Sequence, residues 1–328
     1  MSASSPSDKT ELLNGLRCLV LGGGGFIGAN LCARLAEVGA EVTSFGRSLG
    51  FNAGNSKIKS ITGSFNDRIA LSNALEGQEI VFHLISGSVP ESSNRDPAAE
   101  LKSSPLSTIH MLDLCVSSGV KKLIFASSGG AIYGIPSSVP ICENDRTDPI
   151  SAYGISKLLI EKYLFLYRHL HGLNYHSLRI ANPYGRYQLG HKRQGLVGTF
   201  VHRALAGLPV EIWGDGEITR DFIHVDDVIE AFVEVVTYDG PHRIMNVGSS
   251  RGLSVNNILY DIEALLGQGS LKRVYTPGRA ADVPVNVLDT SLIKSELGWT
   301  PKVEWPDGLK DTFNWMSEND GLARGRAS

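Results

Sequence analysis

Short apolar runs alternate, along the first half of the chain, with segments in which apolar residues recur every three or four positions. RCLVLG, EVTSF, EIVFHLI and KKLIFAS have the continuous apolar character of buried parallel strands. Helical periodicity runs from about Phe26 to Val38, from about Pro97 to Ser118 and from Ala152 to His171, where Gly172 fits a C-cap. This alternation predicts an α/β fold with a parallel sheet covered by helices on both faces.

The regular alternation ends near Asn182, and glycine and proline then punctuate pieces such as GLPVEIWGDGE and TPGRAADVP. We therefore expect residues 16–182 to form mainly a nucleotide-binding domain. Residues 183–317 should form mainly a smaller substrate-binding α/β lobe, with the chain crossing back to the first domain. Loop-rich sequence of this kind commonly carries substrate recognition. The polar ends, residues 1–15 and 318–328, are predicted to be tails.

Composition narrows the class of protein. A formal net charge of -3 over 328 residues gives no electrostatic footprint for nucleic acid or an anionic membrane, and the chain has no apolar run long enough to cross a bilayer. The histidines lack metal-ligand spacing. The cysteines are scattered and form no C-x-x-C pair: Cys18, Cys32, Cys115 and Cys142. We expect a cytoplasmic protein without a metal site or a disulfide framework.

The segment LVLGGGGFIGANL places glycines directly between the first strand and the first helix. A side chain there would block the turn, the approach of backbone N–H groups to a pyrophosphate, and the packing of the helix on the strand. The positive N-terminus of the helix then favours phosphate. The pattern predicts a Rossmann-type, doubly wound sheet that binds NAD through the loop and first helical turn: Gly22, Gly25, Phe26, Ile27 and Gly28.

The end of the second strand departs from the NAD fingerprint. An acidic residue usually holds the ribose 2′-OH there, but this chain has Gly46 and Arg47. Arg47 could meet a 2′-phosphate, so NADP is an alternative cofactor. A solvent-facing arginine is an equally good interpretation.

Tyr153 and Lys157 lie four residues apart near the start of the longest helix, and so share one face. A nearby ammonium favours phenolate and should lower the tyrosine pKa from about 10. Such a spacing also occurs on ordinary surface helices. The order of segments favours catalysis. The glycine loop comes first, then LIFASSGGAIYG as a strand ending in hydroxyl residues, and then this helix. In a doubly wound sheet these three segments meet at the carboxyl edge, where ligands bind.

Together, GGGGFIG, FASSGGAIYG, SAYGISKLLIE, LRIANPYG, GDGEITRDFIHVDDV and GRAADVP resemble the extended short-chain dehydrogenase/reductases of the nucleotide-sugar epimerase/dehydratase family, in particular UDP-glucose 4-epimerases. The resemblance runs from about Arg17 to Met316. It implies that Tyr153 takes a proton from the sugar 4-OH and that Lys157 holds the nicotinamide ribose. It also implies a homodimer, built by the two long helices.

The resemblance implies further site residues and exposes departures. The hydroxyl residue that the family places four positions before the YG tyrosine is Gly129 here, so Ser128 or, as second choice, Ser127 should replace it. Asn286 stands where some 4-epimerases carry a bulky tyrosine, and could admit a 2-acetamido group. Ser64 replaces an acid near adenine, and HLIS replaces HLAA at His83 to Ser86. The remaining implied contacts are Phe65 and Leu84 to NAD, and Asn182, Arg220 and Arg279 to the sugar diphosphate.

Three functions follow as hypotheses. The first is NAD-dependent epimerisation at C4 of a UDP-hexose or UDP-2-acetamidohexose through a transient 4-keto sugar. The second is NAD(P)H-dependent reduction of a 4-keto-6-deoxy nucleotide sugar, and the third is a non-catalytic dinucleotide-binding sensor. Dehydration is disfavoured, because the Asp-Glu pair of the dehydratases is Gly130-Ala131 here.

Overall fold

The computed structural model describes residues 11–87, 93–190, 195–267, 271–278 and 282–319. The strands are short and most are buried. In chain order they are β1 (Arg17–Leu21), β2 (Glu41–Gly46), β3 (Ile58–Thr62), β4 (Ile80–His83), β5 (Lys122–Ser128), β6 (Asn174–Ile180), β7 (Asn182–Tyr184), β8 (Val210–Trp213), β9 (Thr219–His224), β10 (Ile244–Val247), β11 (Gly252–Ser254), β12 (Arg273–Thr276) and β13 (Val285–Asn286).

The helices are α1 (Phe26–Glu37), α2 (Arg68–Leu75), α3 (Pro97–Leu101), α4 (Ser107–Ser117), α5 (Gly129–Ile132), α6 (Ala152–His171), α7 (Leu196–Leu205), α8 (Val225–Val236), α9 (Val255–Leu266), α10 (Ser291–Leu297) and α11 (Trp305–Glu318). Gly172 ends α6 in the left-handed conformation, with φ of 71°, as the sequence predicts. The predicted helix from Pro97 to Ser118 is interrupted by a π-helical turn, Lys102–Leu106, that contains Pro105. Proline has no N–H to continue the α-helical ladder.

Seven strands form one parallel sheet in the order β3-β2-β1-β4-β5-β6-β10. Buried apolar clusters line the sheet, because its strands are apolar on both faces. This architecture confirms the predicted Rossmann-type α/β fold. The strand order reverses between β1 and β4, and ligands of such sheets bind at the carboxyl ends of the strands beside that reversal.

A second, smaller sheet centres on β9, which pairs with β7 and β13 in parallel and with β11 in antiparallel orientation. A separate parallel pair joins β8 and β12. This region has its own apolar cluster, built mainly from α7, α9 and α11. Between β9 and β11, α8 and β10 return to the central sheet. The two regions meet beside the carboxyl end of β5, where Asn286 of β13 donates to the Gly129 carbonyl, and the space along this edge is here called the cleft.

All four cysteines are free thiols. No helix in the described ranges is both long enough and apolar enough to cross a membrane.

Candidate active site

The glycine loop lies between β1 and α1 and has no space for side chains. Gly22 adopts φ of +89°, and a Cβ there would lie 3.3 Å from Ile85 Cγ1. A Cβ on Gly28 would lie 2.2 Å from the Gly22 carbonyl oxygen. Gly25 is the N-cap of α1 and offers no capping side chain, so the first N–H groups of the helix remain available to an anion. The loop therefore fits a dinucleotide pyrophosphate, and Phe26 and Ile27 begin the helix that would bind it.

The ribose end of the cleft is formed by the turn after β2. Asn52 fastens this turn to the glycine loop, because its Nδ2 donates to the Gly23 carbonyl over 2.8 Å and to Ser44 Oγ over 3.0 Å. Arg47 follows directly after Gly46 at the end of β2, and its side chain is exposed. In the described part of the chain Arg47 has no ion pair. The structure thus leaves its guanidinium available at the expected ribose position.

The residues expected near the adenine and nicotinamide follow the next strands. Ser64 is exposed after β3, and Phe65 packs with its ring centroid 5.2 Å from that of His83. Leu84 continues from β4 and packs on the core. His83 itself is buried and bonded to Thr108 Oγ1 over 3.0 Å, and burial lowers its pKa to about 3. It is a buried strand histidine.

The start of α6 is brought close to the turn after β5. Ser151 caps the helix by accepting from the Gly154 N–H over 3.1 Å. A Cβ on Gly154 would lie 2.4 Å from the Ala131 carbonyl oxygen. Glycine in YGISK therefore lets α6 approach α5, and this contact places Tyr153 beside the hydroxyl residues that end β5.

Two serine hydroxyls act on the Tyr153 phenol. Ser128 lies at the end of β5 and Ser86 in the segment after β4, and a hydrogen bond to either hydroxyl favours the phenolate. Ile85, next to Ser86, touches Gly22 of the glycine loop. The phenol therefore lies in the cleft beside the phosphate loop and not on the outer surface of the helix.

The structure distinguishes the two candidate serines. Ser128 contacts Tyr153, whereas Ser127 Oγ is buried and has no hydrogen-bond partner among the described residues. The usual hydroxyl position, Gly129, is closed: a Cβ there would lie 2.5 Å from Leu288 Cδ1. Leu288 is fully buried. Of the candidates, Ser128 is the one whose hydroxyl can share a substrate oxygen with Tyr153.

Lys157 lies one turn below Tyr153 and is buried. Its Nζ donates to the Ala126 carbonyl over 2.8 Å and lies 5.6 Å from the centroid of the Tyr153 ring. Burial lowers its pKa to about 8, while Glu100 and Glu161 act in the opposite direction. The ammonium form therefore prevails at neutral pH.

The pKa of Tyr153 moves opposite to the sequence-based expectation. Burial raises it to about 12, the hydrogen bonds from Ser128 and Ser86 lower it, and the Glu100 carboxylate raises it further. Desolvation disfavours the phenolate more than the neighbouring dipoles favour it. Within the protein alone, Tyr153 is therefore a proton donor.

The three residues predicted to bind the sugar diphosphate have different surroundings. Asn182 lies close to Ser128, since a Cβ on the intervening Gly130 would lie 3.8 Å from Asn182 Oδ1 and 4.0 Å from Ser128 Oγ. Arg220 is half-buried on β9, where burial lowers its pKa and Asp282 opposes that shift. Arg279 lies outside the described residues.

Asn286 on β13 completes the wall behind Ser128. It pairs in register with Arg220, and its Nδ2 donates to the Gly129 carbonyl over 3.1 Å. Its Oδ1 is buried and has no hydrogen-bond partner within the described ranges. The side chain thus lies folded against the turn after β5 and carries no ring at the position where a tyrosine would stand.

Two residues beside Tyr153 are not predicted as site residues from the sequence. Ser86 was noticed only as a departure from HLAA, although its hydroxyl contacts Tyr153. Glu100 appeared as one polar position in a helical pattern, yet it is buried and its charge acts on Tyr153 and Lys157. Only the serine in HLIS was a usable signal.

A buried ion pair supports the tyrosine helix from below. Arg179 on β6 makes two bonds to Glu161 on α6, at 3.1 and 2.8 Å, and a third to Tyr133 Oη at 3.0 Å. Tyr133 in turn donates to Asn246 Oδ1 over 2.7 Å. This bidentate pair and its neighbours fix α6 against β6, so Tyr153 and Lys157 are carried by a firmly packed helix.

The arrangement joins an anion-binding helix terminus to a hydroxyl and ammonium centre that can move a proton at a sugar oxygen. Comparisons with known proteins agree with it. The sequence profile of the "NAD dependent epimerase/dehydratase family" matches residues 18–248. The UDP-glucose 4-epimerase of Thermotoga maritima, solved with UDP-glucose, superposes with a TM-score of 0.86 at 36% identity, covering 92% of this chain and 99% of that one.

The Thermus thermophilus UDP-glucose 4-epimerase, solved with NAD, gives a TM-score of 0.85 at 30% identity over 95% of this chain and 100% of that one. The chain is also 28% identical over 309 residues to the dTDP-4-dehydro-6-deoxyglucose reductase of Escherichia coli, covering 89% of this chain and 94% of the relative. With the profile spanning most of the chain and the cleft built as described, this protein belongs to the NAD-dependent epimerase/dehydratase family of extended short-chain dehydrogenase/reductases, and its cofactor is NAD.

Proposed function

We propose that the protein epimerises a nucleotide sugar at C4, with a UDP-hexose or UDP-2-acetamidohexose as substrate. The observation that carries this proposal is the placement of the Tyr153 hydroxyl between Ser128 and Ser86, beside the glycine loop and one helical turn from the Lys157 ammonium. Bound NAD supplies the hydride acceptor and donor. The same centre argues against a sensor without catalysis, since a sensor has no need of a tyrosine placed one helical turn from a buried lysine.

The residues of the chain have distinct tasks in this reaction. Tyr153 moves the proton at the sugar 4-oxygen, and Ser128 shares that oxygen by a hydrogen bond. Lys157, fixed by the Ala126 carbonyl, orients the nicotinamide ribose and compensates charge on the phenol. Arg220 and Asn182 bind the diphosphate, so that the transient 4-keto sugar can turn while its nucleotide stays bound.

The pocket wall supports a substrate with room at C2. Asn286 is bonded back to Gly129, and Leu288 fills the position of the usual hydroxyl, so neither side chain projects into the cleft. We infer that the site takes UDP-N-acetylglucosamine as well as UDP-glucose.

The test is to incubate the NAD-loaded protein with each sugar nucleotide and to identify products by anion-exchange chromatography and proton NMR. We expect each sugar's C4 epimer to form without accumulation of NADH. Absence of an epimer from both substrates would contradict the proposal.

Two observations favour reduction of a 4-keto-6-deoxy nucleotide sugar as the second candidate. Arg47 follows Gly46 where an acid would select NAD, and the chain resembles the E. coli dTDP-4-dehydro-6-deoxyglucose reductase named above. In the same assay, dTDP-4-keto-6-deoxyglucose with NADH or NADPH would then consume one reduced cofactor for each sugar.

We also propose that the protein is a homodimer. The outward face of α6 exposes Ile155, Phe165, Leu166 and Leu170, and Phe165 is 64% exposed. An apolar row of this kind on a long helix suits packing against the same helix of a second copy. Light scattering should give a dimer for the wild type and a monomer for Phe165→Glu. A monomeric wild type would overturn this proposal.

A further inference from the structure

Glu100 is a buried carboxylate for which the proposed reaction has no task so far. It is 4% exposed, and its charge acts on both Tyr153 and Lys157. Burying a carboxylate is costly, and charged groups retained beside a proton-transfer pair are candidates for a functional role.

The fold fixes the helix of Glu100 against the helix of Tyr153. The segment before α3 binds the first turn of α6 through two side chains. Ser93 Oγ accepts from the Tyr153 N–H over 3.0 Å, and Asn94 Oδ1 accepts from the Ala152 N–H over 2.8 Å. Asp96 then caps α3 by accepting from the Ala99 N–H over 2.9 Å. The position of the helix that carries Glu100, relative to Tyr153, is therefore set by hydrogen bonds from backbone N–H groups to side-chain oxygens.

Gly87 brings the Glu100 carboxylate to the segment that carries Ser86. A Cβ on Gly87 would lie 2.6 Å from Ser103 Oγ and 3.8 Å from Glu100 Oε2. The absent side chain thus lets α3 and the π-helical turn approach the end of β4. Ser86, the preceding residue, hydrogen-bonds Tyr153. Ser86 and the Glu100 carboxylate therefore both lie beside Gly87.

Two further titratable groups lie near Tyr153 and Lys157. Glu161 acts on Lys157 from α6, but it is held in the buried ion pair with Arg179. His83 faces the pair from β4, and burial followed by the Lys157 charge keeps its pKa near 3, so it is neutral. Among the described residues, the Glu100 carboxylate acts on both Tyr153 and Lys157.

We propose that Glu100 is a positioning residue of the catalytic centre: its carboxylate offsets the Lys157 ammonium beside Tyr153, while Ser86 holds the phenol between them. A carboxylate disfavours phenolate and favours ammonium, so both residues keep their protons to higher pH. Tyr153 is thereby kept ready to return a proton to the sugar 4-oxygen. That consequence for turnover rests on the proposed function, whereas the charge arrangement itself does not.

The experiment measures ionisation of Tyr153 in the NAD-loaded protein, without substrate. Near-ultraviolet tyrosinate absorbance is titrated with pH in each variant and in the same variant carrying Tyr153→Phe, and the difference reports Tyr153 alone. Glu100→Gln should lower the half-titration pH by about one unit or more, because a like charge has been removed. Ser86→Ala should raise it by a smaller amount, because phenolate loses a hydrogen bond.

Opposite shifts from the two variants are not what general structural damage produces. Glu76→Gln, the same change at an exposed glutamate after α2, is the matched control and should leave the titration unchanged. If Glu100→Gln fails to fold, Glu100→Asp is used instead, because it moves the carboxylate away by the length of one methylene. It should lower the half-titration pH of Tyr153 by a smaller amount. An unchanged or raised half-titration pH in the folded Glu100 variant would overturn the proposal, whether or not the protein epimerises sugars.

Discussion

The cofactor end and the sugar end of the cleft are built by different means. At the cofactor end, Gly22 and Gly28 form the site by having no side chain, so that backbone can approach within contact distance. At the sugar end, Tyr153, Lys157 and Glu100 bring hydroxyl and charged groups from two helices into a buried space. One end depends on excluded volume and the other on electrostatics.

This difference predicts which substitutions each end of the cleft tolerates. A backbone-built site fails when any atom is added, because the neighbouring atoms are main chain and cannot move aside. A side-chain-built site keeps its shape when one polar atom is removed but loses its chemistry. Variants at the two ends should therefore separate cofactor binding from turnover.

The largest effect is expected at the sugar end. Tyr153→Phe removes the proton-moving atom, and turnover of the sugar nucleotide should fall by about a hundredfold to ten-thousandfold. NADH affinity, measured by fluorescence titration, should change less than about twofold, since the ring and its packing remain. Tyr163→Phe on the same helix is the control. Persisting turnover in Tyr153→Phe would place the chemistry elsewhere.

At the cofactor end, Gly28→Ala places a Cβ 2.2 Å from the Gly22 carbonyl oxygen. Backbone must shift, at a cost of about 1–3 kcal/mol, and NADH affinity should fall roughly tenfold to a hundredfold. Gly278→Ala is the matched control, because its Cβ would meet nothing closer than 3.7 Å. Unchanged NADH affinity in Gly28→Ala would mean that the loop does not bind the cofactor.

Gly129→Ser tests whether packing closes the position where the family usually carries its catalytic hydroxyl. At this position a side chain would be needed for chemistry, but the space is filled. The new Cβ would lie 2.5 Å from Leu288 Cδ1 and 3.1 Å from the Arg179 carbonyl oxygen. Overpacking should lower the free energy of unfolding in urea by about 1–3 kcal/mol.

The same substitution should cost less in a Leu288→Ala background, which a double-mutant cycle measures. Gly130→Ser, with its nearest atoms at 3.8 Å or beyond, controls for the loss of glycine. If Gly129→Ser is as stable as Gly130→Ser, Leu288 does not close this position.

The smallest effect is expected at Arg47, which is exposed at the end of β2. Arg47→Ala should weaken NADPH binding about tenfold, the loss of one charge-assisted contact, and leave NADH binding within about twofold. Arg146→Ala, at an exposed arginine paired with Asp148, is the control. An equal loss for both cofactors would exclude a contact to the 2′-phosphate.

The sequence predicts the two ends unequally. The fold and the glycine loop follow from local patterns, because a strand, a tight turn and a helix N-terminus are neighbours in the chain. Tyr153 and Lys157 were predictable because they share one helix. Glu100 was not, since its burial depends on Ser93 and Asn94 binding the start of α6.

The direction of the Tyr153 pKa was also beyond the sequence. Spacing indicates an ammonium one turn away, but the largest influence on the Tyr153 pKa is desolvation, which is a property of the assembled site. The choice between Ser127 and Ser128 likewise required the assembled sheet, because neighbouring residues of β5 face opposite sides and only the structure shows which side is buried and which meets Tyr153.

The central claim is that Tyr153 and bound NAD act together at the sugar C4, and the fate of the C4 hydrogen tests it most directly. UDP-glucose is converted by the NAD-loaded protein in deuterated water, and the product is analysed by NMR. The account predicts a C4 epimer that keeps its original hydrogen at C4, because hydride leaves and returns without meeting solvent. Deuterium at C4 would contradict it, as would an epimer formed equally well by Tyr153→Phe.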